Sequence, residues 1–116
     1  MKIQVRTDNH LQGSAELTNY ITETLGQDLN RFANAITRVE VHFTDENGDK
    51  KKANDKRCVL EARVANHQPI VVTHYANNMS QAFDGASTKL IRALDTMAGR
   101  MTNHDSPKFK YSYSAT

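Results

Sequence analysis

Between Asn78 and Met101 the apolar residues Met79, Phe83, Ala86, Leu90, Leu94, Met97 and Met101 recur every three or four positions, the spacing of one buried helical stripe. At about 100° per residue, all of them fall within roughly 40° of Leu90. Lys89, Arg92, Thr96 and Arg100 line one flank of this stripe, and Asp84 and Asp95 the other. The pattern predicts a long helix with a dry face, a basic edge and an acidic edge. The remainder of the chain must supply an apolar surface for the dry face, and the function must account for the basic edge.

That surface is legible upstream. Ile3 and Val5 alternate with Lys2, Gln4 and Arg6, which reads as a short half-buried strand. A loop over residues 7–13 leads to Ser14, a plausible N-cap, with Glu16 in the first turn. Leu17, Ile21, Leu25, Leu29 and Phe32, with Tyr20 beside them, then keep helical spacing to about Ala33. Residues 36–44 alternate again, with Val39, Val41 and Phe43 opposed to Arg38, Glu40 and His42. The polar stretch 45–55 contains an Asn-Gly turn signal and Lys50, Lys51 and Lys52, a candidate flexible contact to an anion. From Lys56 to Ala65, Cys58, Leu60, Ala62 and Val64 oppose Arg57, Val59, Glu61 and Arg63. The connection Asn66-His67-Gln68-Pro69 joins this strand to another over residues 70–76, which makes an antiparallel hairpin.

The element order is thus β-α-β-β-β-α. It implies an α+β sandwich of two layers, a four-stranded sheet with both helices on one face. The other sheet face is left to solvent or a partner. Residues 1–101 form one domain on this reading, and the polar segment 102–116, with Lys108 and Lys110, reads as a mobile tail rather than an edge strand.

The totals fit one ordinary soluble domain. The 116 residues are 38% hydrophobic and 24% charged, and no apolar run approaches the roughly 18 residues of a membrane span. The N-terminus has no apolar stretch of the secretory type, and one cysteine cannot form an internal disulfide. The cytoplasm is the expected compartment. A net charge of +2 is only mildly basic, so the placement of charge must decide the class of partner.

Catalysis finds little support. Cys58 sits at an inward strand position with no His or Asp tied to it locally, which reads as a small buried hydrophobe. The five histidines form no ligand pair, so neither a metal nor another cofactor is expected. His74 shares the face of Ile70 and Val72 and reads as a hydrogen-bonded residue near the sheet edge. No glycine-rich phosphate loop or catalytic carboxylate pair stands out. The basic edge of the last helix is the stronger signal. Lys89, Arg92 and Arg100 suit a row of phosphates, and Gly85 would let a backbone approach closely. From charge alone, a solvated flank that keeps the protein soluble is the slightly better account of that row. The open sheet face adds Arg6, Arg38, Arg57 and Arg63, tempered by Glu40 and Glu61, which can pair across strands.

Three stretches together are similar to the ribosome hibernation-promoting factor and ribosome-associated inhibitor family, also named for sigma-54 modulation. They are Lys56 to Arg63, His67 to His74, and Ala82 to Ala86 with Lys89-Leu90-Ile91-Arg92-Ala93-Leu94-Asp95. The resemblance covers residues 1 to about 101, and the length reads as the short form. It implies a fold like a double-stranded-RNA-binding domain. It also implies a protein lodged in the decoding region of the small ribosomal subunit, holding idle ribosomes inactive under stress. By the same resemblance Lys89 and Arg92 match positions that face ribosomal RNA, and the partner is that RNA rather than a membrane or a small-molecule substrate. The segment Thr96 to Met101 carries less charge than in many members, and Ser80 stands where an aromatic residue is common. The alternative is a protein-interaction module that regulates a transcription factor through the open sheet face, with Arg57 and Arg63 dominant.

Overall fold

A computed structural model of the protein describes residues 1–7, 15–45 and 55–103, the side chains of 100–103 excepted. The order is β1 (Lys2–Thr7), α1 (Ala15–Asp28), a 3-10 turn (Asn30–Phe32), β2 (Ile36–Asp45), β3 (Lys56–Val64), β4 (Ile70–Ala76) and α2 (Met79–Asn103). The strands form one mixed sheet in the order β1-β2-β3-β4. β1 runs parallel to β2, with α1 in the crossover, and the other two pairings are antiparallel. This is the expected α+β architecture.

Alternation in the strands becomes two faces. Val39, Val41 and Phe43 of β2 stand opposite Ala62, Leu60 and Cys58 of β3, and all six are fully buried. β4 sets Val72 against Leu60 and His74 against Cys58. Ile21, Leu25 and Leu29 come down on the same core from α1, and Phe83, Leu90 and Leu94 from α2. Complete burial of one such side chain is worth about 1.5–3 kcal/mol. The stripe therefore outweighs any exposed ion pair on α2, each of which contributes roughly 0–1 kcal/mol. Docking of α2 is decided by its dry face, which leaves the flanks free for other work.

Local boundaries have physical causes. Asn78 caps α2 by accepting the Gln81 backbone N–H at 2.8 Å. That helix runs past Met101 to Asn103. The first helix, expected to continue to about Ala33, instead closes at Asp28 and tightens. The N–H groups of Phe32, Ala33 and Ala35 donate to the carbonyls of Leu29, Asn30 and Phe32, each three residues back. A bulge at Thr37 shifts the β2–β3 register between Ile36 and Arg38, and the Thr37 hydroxyl donates to the Arg63 carbonyl at 3.1 Å. β3 ends at Val64, one residue before the expected end. Asn66 carries the chain through the turn to β4 with φ of 65°, a left-handed conformation that asparagine tolerates. Ser14, the loop lysines Lys50, Lys51 and Lys52, the side chains of Arg100 and Met101, and residues 104–116 lie outside the described residues.

Candidate nucleic-acid interface

The two polar flanks of α2 have different fates. The acidic flank lies on the side of α1 and the turn that follows it. Tyr20 donates its hydroxyl to Asp84 at 2.8 Å and sets its ring edge-on to Phe83 at 5.9 Å between centroids. That hydrogen bond, with some burial, holds the Tyr20 phenol above its ordinary pKa. Arg31 pairs with Asp95 at 2.7 Å and lies 4.7 Å over the ring of Phe32. Both carboxylates are thus engaged within the fold.

The basic flank lies on the side of β4, an edge strand. Lys89 is exposed and its Nζ donates to the Thr73 carbonyl of β4 at 2.7 Å. An ammonium has three donors, so two remain for an anion while the third fixes the side chain. Arg92 is exposed, and among the described residues no ion pair or hydrogen bond engages it. Thr96, one turn further on, is exposed as well. Gly85 belongs to the same helix, but the space where its Cβ would stand is taken by the His74 imidazole. Its lack of a side chain is used inside the protein, for helix–sheet packing. His74 has the expected sheet-edge position, but its ring packs on Gly85, and among the described residues no side-chain hydrogen bond engages it.

The open sheet face carries more cations than carboxylates, with Lys2, Arg6, Arg38, Arg57 and Arg63 against Glu40 and Glu61, but several of them are engaged. By register Lys2, Arg38 and Arg63 form one cross-strand row, and Gln4, Glu40 and Glu61 the next. Like charges directly opposite are unfavourable, and Glu40 relieves the first row. Its Oε2 lies 3.2 Å from Arg38 Nε and 3.9 Å from Arg63 Nη2. Arg38 also donates to the Gln4 side chain. Arg57 donates to the Thr44 hydroxyl at 3.4 Å. Arg57 and Arg63 are therefore held in contacts within the sheet. Val71 and Tyr75 remain exposed on this face.

Where the β3–β4 turn approaches α2 there is an open groove of about 410 Å³, lined by His67, Gln68, Ile70, Ala93, Thr96 and Met97. Sequence reasoning placed Thr96 on the basic flank but did not bring the turn to it.

Cys58 is fully buried, and burial pushes its thiol pKa up to about 12, so at neutral pH it is a protonated core residue. At the far end of the sheet Lys56 bridges Asp55 at 3.0 Å and Asp45 at 3.3 Å. The hydrogen bond to Asp55, aided by Asp45, holds its ammonium above the ordinary pKa despite desolvation. Among the described residues no helix is long and apolar enough to cross a membrane.

A family model described as sigma 54 modulation protein / S30EA ribosomal protein matches residues 3–102. Comparison with curated proteins gives no match. Among solved structures, the fold is similar to the Thermus thermophilus Protein Y N-terminal domain, at 17% identity and a TM-score of 0.62, over 78% of this chain and 92% of that one. It is also similar to a ribosomal subunit interface protein from Coxiella burnetii, at 19% identity and a TM-score of 0.64, over 84% of this chain and 98% of that one. At such identities the likeness concerns the fold.

Proposed function

The chain belongs to the sigma 54 modulation protein / S30EA ribosomal protein family, and from that membership we propose that it binds the small ribosomal subunit through ribosomal RNA and represses translation in the cytoplasm. The mechanism is occlusion, without catalysis. A folded wedge sits in the decoding region and denies mRNA and tRNA their path, as suits idle ribosomes under stress. The observation that carries this reading is the sorting of charge on α2. Asp84 and Asp95 are engaged by Tyr20 and Arg31, whereas Lys89 and Arg92 face outward at the edge of the sheet. A row of cations with carboxylates withdrawn from it suits a phosphate backbone. Arg100 and the lysines Lys50, Lys51 and Lys52 are proposed as further contacts to the RNA, with Arg57 and Arg63 as secondary contacts on the sheet.

Co-sedimentation with ribosomal subunits at low and raised salt tests the proposal. Binding to the small subunit that falls as salt rises supports it, and failure to sediment at low salt rejects it. The exposed Val71 and Tyr75 favour a second reading, in which the open sheet face docks a protein that regulates transcription. A complex that survives RNase treatment and ignores changes at Lys89 and Arg92 would favour that reading.

A further inference from the structure

We infer that the groove between the β3–β4 turn and α2 receives a single unstacked nucleobase of the RNA whose phosphates lie along Lys89 and Arg92. The inference rests on the RNA-binding reading above and extends it from backbone contact to base contact. Three observations bring it to this place. The first is composition: Ile70, Ala93 and Met97 supply an apolar floor, and His67, Gln68 and Thr96 a polar rim. This is the pairing that a flat heterocycle with hydrogen-bonding edges requires. The Gln68 amide offers both donors and an acceptor, and the His67 imidazole adds two ring nitrogens able to hydrogen-bond. The Met97 thioether suits contact with an aromatic ring.

The second is size. About 410 Å³ lies in the lower part of the roughly 300–1,000 Å³ range of small-molecule pockets, ample for one base. The third is position. Arg92 and Thr96 are neighbours one helical turn apart, roughly 5–6 Å between Cβ atoms. A phosphate on Arg92 and a base against Thr96 and Ala93 are then within reach of one nucleotide. Lys89, pinned to the Thr73 carbonyl, stands one turn before Ala93 on the same side. The cations select a polyanion, and among polyanions the groove selects one with planar side groups. His67 and Gln68 are exposed on a turn set by the left-handed Asn66, so the rim faces solvent and is open to a strand laid along α2.

The test uses methyl-labelled full chain and two synthetic oligomers of equal length and charge, a single-stranded RNA hexamer and its abasic counterpart. Methyl resonances of Ile70, Ala93 and Met97 should move with the RNA and stay in place with the abasic chain. Movement with both oligomers, or with neither, overturns the inference. In parallel, Ala93→Phe fills the groove and Gln68→Ala removes part of its rim. Each should weaken small-subunit binding about tenfold while leaving the salt dependence unchanged; parent-like affinity in both overturns the inference. Should Ala93→Phe fail to fold, Gln68→Ala on the exposed turn decides this arm. Failure of the parent to sediment with ribosomes would reject the proposed function, whereas the oligomer comparison reports on the groove independently.

Discussion

Gly85 and His74 share one space: a Cβ on Gly85 would stand within 3.0 Å of Cγ, Cδ2 and Nε2 of the His74 ring. Because Cγ is among those atoms, a swing of the ring tip is not enough, and the whole imidazole or the helix must shift. The glycine is thus the reason α2 can lie so close to the edge strand, and that closeness brings Lys89 within reach of Thr73.

Gly85→Ala should therefore destabilise the fold by about 1–3 kcal/mol, the range of overpacking in a closed interior, even though alanine is the better helix former. Adding His74→Ala should recover most of the loss. Thermal melts of the two single variants and the double variant form the cycle that measures this coupling.

Ser87 is 4% exposed and its hydroxyl has no hydrogen-bond partner among the described residues. An unsatisfied buried hydroxyl costs about 1–3 kcal/mol, and alanine also favours the helix. Ser87→Ala should raise the melting temperature by roughly 4–8 °C for each kcal/mol regained. A melting temperature at or below the parent value would count against this.

Arg92→Ala should leave thermal stability unchanged, because no described residue engages the side chain, and should weaken ribosome binding. If Arg92 neutralises one phosphate, the salt slope should fall by about 1. Lys89→Ala should do the same with a small added loss of stability from the Thr73 contact. Equal losses of stability and binding in the Arg92 variant would mean a structural role.

Burial pushes the Cys58 thiol from its ordinary 9.0 up to about 12. Between those values the folded chain keeps a proton that the unfolded chain releases. Its contribution is therefore complete below pH 9 and is lost as pH rises toward 12, at about 1.4 kcal/mol per pH unit. Lys56 and Tyr20 are also raised, from 10.5 and 10.0, and act in the same direction at higher pH. Urea midpoints between pH 9 and 10 therefore isolate the thiol best: the parent should weaken across that interval, and Cys58→Ala should be nearly flat.

How much of this was legible in the chain depends on range. The stripe through Phe83, Leu90 and Leu94, and the alternation through Val39, Leu60 and Val72, are periodicities of adjacent residues, and each led to the observed face. The tightening after Asp28 was hidden because Leu25, Leu29 and Phe32 keep helical spacing while the hydrogen bonds change to three-residue steps. The use of Gly85 by His74, and of Asp84 by Tyr20, depends on partners from other elements that local spacing cannot name. The same holds for the groove, whose rim and floor come from a turn and a helix that meet only in the folded chain. The two flanks of α2 were visible; which of them the protein would keep for itself was not.

α2 is also the last element to be synthesised among those described. Until Leu90 and Leu94 have left the ribosome, the inner sheet face lacks the part of its cover that α2 supplies. The same stretch carries Lys89 and Arg92. A nascent chain consequently completes this part of its core and acquires its proposed means of gripping a ribosome in one step.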